Sequence, residues 1–161
     1  LEAIHNAALG LLSRAGLRFC HPEAIALFRA AGARIEDQTV RIGPEIVAAA
    51  LASAPRRFTL HAPDPALSVE FGPGAMIFHA GAGCPHVHDR VKGRRAATLA
   101  DFVAAQRLIA GAASIHLMGA AVEPQDSAPE RRHFDTGLAQ MDAGAKPPFV
   151  YARGRAQVMD A

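Results

Sequence analysis

His79, Cys84, His86, His88 and Asp89 fall within the run His79-Ala80-Gly81-Ala82-Gly83-Cys84-Pro85-His86-Val87-His88-Asp89. His86 and His88 are two apart, so on an extended segment their imidazoles share one side. With Cys84, His79 and Asp89 nearby, that pair is raw material for a metal site, and through it for a metal-dependent hydrolase. Such a site needs three or four converging ligands, and the pair follows Gly-Ala-Gly-Cys-Pro rather than standing on an apolar strand. The plainer expectation is loop histidines bonded to backbone. Gly81 and Gly83 would let a backbone approach a phosphate. The dinucleotide fingerprint, however, asks for a third glycine and an immediate helix, and position 86 is His. Positive φ in a tight loop accounts for the glycines equally well.

A second polar group follows further on, with Glu123, Gln125 and Asp126. Paired carboxylates can do acid–base work or hold a cation. They can also simply be solvated, and Asp126 stands close enough to Pro129 to cap a helix. Cys84 is a nucleophile by type, but the sequence offers no identifiable base for it. Arg131-Arg132-His133 is expected on a solvated helix face.

Parallel β/α folds gather function at the C-terminal ends of their strands. Three apolar runs precede candidate loops here: Ala75–Phe78, Ser114–Gly119 and Pro147–Ala152, the last leading to Arg153-Gly154. A helix opens at Thr98, where Asp101 stands three residues on as in a capping box, and another opens at Pro129 and runs to about Ala143. Strands separated by helices of this length pair in parallel through right-handed crossovers. Before them, Ile4, Ala8, Leu11, Leu12 and Ala15 mark a helix stopped by Gly16, and helices follow from Pro22 and Pro44. A hairpin is expected at 33–42 around Asp37-Gln38, with extended pieces at 17–20, 58–61 and 67–71. The fold class read from this is α/β. Residues 1–74 form a helical cap with a small antiparallel sheet, divided at Gly72-Pro73-Gly74 from residues 75–161, the first β/α units of an incomplete TIM-type barrel.

A barrel on this chain would be incomplete by length as well, since 161 residues fall short of the roughly 250 of a full barrel. The chain starts inside a helical pattern without Met and ends without a C-cap signal, so a piece of a longer protein is expected. Half the residues are hydrophobic and 20% charged, which excludes a disordered chain. A net charge of +2, one Tyr and no Trp argue against a nucleic-acid partner. No signal-peptide pattern or long uncharged apolar run appears, so no membrane partner is expected. Two distant cysteines suit a reducing cytoplasm.

The stretch Pro44-Glu45-Ile46-Val47 … Ala52-Ser53-Ala54-Pro55-Arg56-Arg57-Phe58-Thr59-Leu60-His61-Ala62 resembles the N-terminal region of the trimethylamine methyltransferase superfamily. So do Gly81-Ala82-Gly83-Cys84-Pro85 … Asp89, Gly93-Arg94-Arg95-Ala96-Ala97-Thr98-Leu99-Ala100-Asp101, and Pro124-Gln125-Asp126 with His133 beyond it. The resemblance runs in order over nearly the whole chain. It implies a β/α barrel that takes a methyl group from a methylamine or a quaternary amine such as glycine betaine. The methyl goes to the cobalt of a corrinoid (cobalamin) carried by a partner protein, so no directly bound cofactor or metal is expected. A small quaternary or tertiary amine is the implied substrate, and a homo-oligomer is compatible. Phe78, Gly81, Gly83, Glu123, Gln125, Asp126 and Tyr151 are the expected substrate contacts, with no catalytic residue assigned. Gln125 and Asp126 are expected to matter more than Arg132. A metal-dependent hydrolase using His86 and His88, or a non-catalytic fragment, is the alternative.

Overall fold

The apolar face read from Ile4 to Leu12 folds as α1 (Glu2–Arg14) in a computed structural model that describes residues 1–81, 83–151 and 154–160. Gly16 ends this helix in the left-handed region, at φ +76°, and its N–H reaches back to Leu11 O at 3.0 Å. A Cβ there would stand 2.7 Å from Val40 O, so sterics and conformation both demand glycine. Then come β1 (Leu17–Arg18), α2 (Pro22–Ala30), β2 (Arg34–Glu36), β3 (Thr39–Arg41) and α3 (Pro44–Ser53), with proline in the first turn of α2 and α3. The expected hairpin is present, turned by Asp37 at φ 53°, and β1 adds a third strand to give the antiparallel order β1-β3-β2. Val40 at the sheet centre is fully buried. These elements make one compact unit, Leu1–Pro55.

The second unit is Arg56–Ala161. It opens with an antiparallel pair, β4 (Phe58–Leu60) and β5 (Val69–Phe71), whose Phe58 and Phe71 rings stack at 4.8 Å. The turn at Gly72–Gly74 lies inside this unit. The loop expected after Phe78 contains a second antiparallel pair, β6 (His86–Asp89) and β7 (Gly93–Ala96). Next is α4 (Leu99–Gly111), capped as expected: Asp101 N donates to Thr98 Oγ1 at 3.3 Å and Thr98 N to Asp101 Oδ2 at 2.9 Å. The helix read from Pro129 begins later, as α5 (Arg132–Ala143), and α6 (Arg155–Asp160) follows.

The three apolar runs need correcting. Among the described residues, Ala75–Phe78, Ser114–Gly119 and the run from Pro147 form no regular strand; Ala152 lies outside those residues. Ala75–Phe78 is also largely open to solvent, with Met76 77% and Phe78 52% exposed. Gly81, Gly83 and Pro85 interrupt the first run's continuation, and Pro147 and Pro148 lack the donors a ladder requires. What survives is patchwork: parallel bridges His79–Leu117 and Cys84–Val122, and a bond from Met118 N to Pro147 O at 3.0 Å. The described residues therefore make helices and small antiparallel sheets, with no closed barrel.

Phe102, Ala120 and Ala139 form the buried centre of this unit, with Leu99, Val103 and Val122 against it. Full burial of Phe102 contributes about 1.5–3 kcal/mol. Lys146, itself buried, donates to Ile109 O and Ala112 O, both at 2.7 Å. It thus satisfies the carbonyls at the C-terminal end of α4, where a cation is favoured, although burial pushes its pKa down.

Candidate functional site

The patchwork of parallel bonds ends at a cavity of about 150 Å³. Gly83, at φ +77°, lines it and donates to Ala120 O at 2.9 Å. Glu123 comes next to it, held by a bond from its own N–H to Cys84 O at 2.9 Å. From α5, Arg132, His133 and Thr136 turn inward, and Tyr151 lines the same cavity.

Arg132 corrects the expectation of a solvated face. Its Nη1 pairs with Glu123 Oε1 at 2.8 Å, and the two side chains are only 17% and 20% exposed. Its Nε and Nη2 donate to Ser127 O at 3.3 and 2.9 Å. Three bonds fix the guanidinium, and the guanidinium in turn orients the carboxylate. His133 is buried as well, with Nε2 3.2 Å from Asp160 Oδ2. Asp135 sits behind this wall, and a bond from the Ser127 hydroxyl holds its carboxyl below the usual range, helped by Arg131.

Of the seven expected contacts, Gly83, Glu123 and Tyr151 meet at this cavity. The other four do not line it. Gly81 is exposed, with open space where a Cβ would point. Phe78 stacks on His116 at 5.9 Å, and its N–H donates to His116 Nδ1 at 3.0 Å. Gln125 is exposed and bonds back to Glu123 O at 2.8 Å. Asp126 accepts from Leu99 N at 2.8 Å, so it caps α4 rather than the helix after Pro129. Phe149 completes an aromatic corner, edge-on to Tyr151 at 5.4 Å and to His79 at 4.7 Å. Arg153, named in the third loop, and Ala82 lie outside the described residues.

His86 and His88 do share one exposed side, but of the β6–β7 hairpin, where they face Ala96 and Arg94 across the ladder. Among the described residues no three His, Cys, Asp or Glu side chains converge in a way that could hold a metal ion.

Sequence reasoning missed Arg132, His133 and Thr136. Their signal was the pattern of α5, where polar His133, Thr136 and Gln140 recur at helical spacing on one face. That face is buried, while Phe134, Leu138 and Met141 are 45%, 56% and 58% exposed. A helix that turns its polar stripe inward is lining something other than an apolar core.

A carboxylate, a guanidinium and a phenol thus line one small cavity. The sequence matches the family model for trimethylamine methyltransferase (MTTB) over residues 1–161, and the chain belongs to that family. It is 30% identical over 161 residues to the glycine betaine methyltransferase of Desulfitobacterium hafniense (strain Y51), covering 99% of this chain and 34% of the relative. It is also 35% identical over 69 residues to the L-carnitine:corrinoid methyltransferase of Eubacterium limosum, covering 43% of this chain and 14% of that protein. The chain thus spans about a third of the length of the first of these curated relatives.

Proposed function

We propose that the protein carrying this chain moves a methyl group from a small quaternary or tertiary amine, such as glycine betaine, to the cobalt of a corrinoid held by a partner protein. The observation that carries this reading is the meeting of Glu123, Arg132 and Tyr151 at one cavity in a chain of this family. A quaternary ammonium has charge but no N–H to donate, so it is best held by an aromatic face and a carboxylate. A cation on such a face gains about 0.5–2 kcal/mol. In a betaine the carboxylate lies at the other end of the molecule, and Arg132 is the cation in reach of it. The methyl leaves without its C–N bonding pair, which stays on nitrogen, and the reduced cobalt supplies both electrons of the new bond. What the chain's own residues do is hold and orient the amine for in-line attack. Glu123, Gly83 and Tyr151 serve as substrate contacts. Phe78, Gly81 and Gln125 lie outside the cavity and are not assigned a contact in it, while Asp126 fixes the loop onto α4.

The bridges His79–Leu117 and Cys84–Val122, with the Met118–Pro147 bond, favour reading this unit as the first parallel segments of a barrel that the rest of the protein closes. Two free, exposed cysteines accord with a cytoplasmic protein; among the described residues no helix is long and apolar enough to cross a membrane. The test is the cobalt absorbance change when the full-length protein is mixed with glycine betaine or a methylamine and a Co(I) corrinoid. Methylation that requires the amine supports the reading. No methylation with any quaternary or tertiary amine contradicts it.

A further inference from the structure

Charge is unevenly spread along this chain. Residues 86–96 carry four Lys or Arg against one Asp, a surplus larger than the +2 of all 161 residues. They are also the residues of the β6–β7 hairpin. Arg95 is committed to Asp101, through Nη1 and Nη2 at 2.6 and 2.7 Å. Asp89 spends an oxygen on its own turn, accepting from Val91 N at 2.7 Å and Lys92 N at 2.9 Å, and Gly93 closes that turn at φ +71°. Arg90, Lys92 and Arg94 are exposed, and no ion pair among the described residues engages them. Val91 between them is 91% exposed.

The base of the hairpin is fixed. Ala97 N donates to Pro85 O at 3.0 Å, and Gln125 N to Ala97 O at 2.8 Å, which ties the hairpin to the loop that carries Glu123. Its first strand starts three residues after Gly83, which lines the cavity. Four residues of strand then carry the tip about 13 Å from that base. A cationic hairpin is therefore anchored, at its base, between Gly83 and the loop of Glu123, two segments that line the cavity.

We propose that the β6–β7 hairpin is the docking element for an acidic surface of the corrinoid-carrying partner protein. This rests on the function proposed above. A cobalt held by another protein must be brought to the amine in the cavity, so that protein must settle over the cavity, beside the segments that anchor the hairpin. Exposed unpaired cations steer and register an acidic partner. A nucleic acid is the weaker fit, since the charge is confined to this hairpin and the chain has one Tyr and no Trp for stacking.

The experiment uses the full-length protein and compares two methyl acceptors, its Co(I) corrinoid protein and free cob(I)alamin. The variants are Arg90→Glu/Lys92→Glu/Arg94→Glu and the milder Lys92→Glu, each checked by thermal melting. The triple variant is expected to raise KM for the corrinoid protein at least tenfold, and Lys92→Glu about threefold. Rates with free cob(I)alamin should stay within twofold of wild type. Raising salt from about 0.05 to 0.5 M should weaken the wild type and leave the triple variant unchanged. A KM for the corrinoid protein within twofold of wild type overturns the proposal, as does an equal loss with both acceptors. An oligonucleotide shifted by wild type but not by the triple variant, with KM unchanged, would assign the hairpin to nucleic acid instead. If wild type methylates neither the corrinoid protein nor free cob(I)alamin with any quaternary or tertiary amine, the proposed function itself fails before any variant is made, and this inference falls with it.

Discussion

Leu1–Pro55 buries Val40 and Ile42 and, among the described residues, no polar side chain, whereas Arg56–Ala161 buries six: Gln106, Ser127, His133, Thr136, Gln140 and Lys146. Burying a polar group costs free energy unless it finds partners, and most of these do. Gln106 donates to Gly119 O at 2.7 Å, Gln140 exchanges two bonds with the backbone of Phe149, and Lys146 closes the end of α4. Polar side chains hold the irregular segments of the second unit in place, where a regular ladder would otherwise do so. The first unit needs no such device, because its three strands pair and its helices end on glycine or begin on proline. A site is expected where polar groups are buried, and the cavity is there.

The sharpest way to break this contrast is Arg132→Met. It removes three hydrogen bonds and leaves a mostly buried carboxylate without that cation. A stability loss of about 2–4 kcal/mol is expected, read by urea unfolding, with methyl transfer reduced at least as severely as in Glu123→Gln. Next comes Gly16→Ala in the first unit, where left-handed backbone and a close carbonyl combine. A loss of about 2 kcal/mol is expected from strain alone, with no change in amine affinity. A change in affinity there would show that the two units do not have separate roles.

Asp101 gives a smaller and pH-dependent effect. The Arg95 guanidinium first, then the Thr98 hydroxyl and backbone N–H, hold its carboxyl well below the ordinary aspartate value of 3.8. A carboxyl depressed in the folded state stabilises at pH above its unfolded value, and that stability is lost as pH falls through 3.8 toward the folded value. Asp101→Ala should therefore cost about 1 kcal/mol at neutral pH through the lost cap, and the gap to wild type should close as melts are taken from about pH 4 downward. A gap that widens in acid would contradict the assignment. The smallest effect belongs to Gln125→Ala, whose exposed side chain bonds back to Glu123 O in its own loop. Less than about 0.5 kcal/mol is expected, with methyl transfer within twofold of wild type.

That last ranking reverses the one drawn from sequence, and the reason is physical. Elements carried by local signals were legible: Gly16 as a stop, the turn at Asp37, the Thr98–Asp101 cap. That Glu123 and Tyr151 line one cavity accords with their places in the sequence, one in the loop after an apolar run and the other near the end of another. Arg132 was not, because a cation at a helix start ordinarily faces water, and only tertiary contact with Glu123 and Ser127 makes it an inward residue. The apolar runs misled for a related reason. Hydrophobicity marks a segment fit for a sheet interior, but the Gly and Pro that break its ladder decide whether a strand forms. The β6–β7 hairpin was hidden because His-Val-His-Asp and Gly-Arg-Arg-Ala are poor in the residues that ordinarily announce strands.

The most direct measurement is calorimetric titration of the full-length protein with glycine betaine, alongside Glu123→Gln and Tyr151→Leu. If the cavity holds the ammonium, wild type binds and each variant loses at least tenfold in affinity, Tyr151→Leu with a thermal melt near that of wild type and Glu123→Gln with a lowered melt but still folded at the titration temperature, since it breaks the pair with Arg132. Equal affinity in all three proteins would contradict the account by removing the cavity from amine binding.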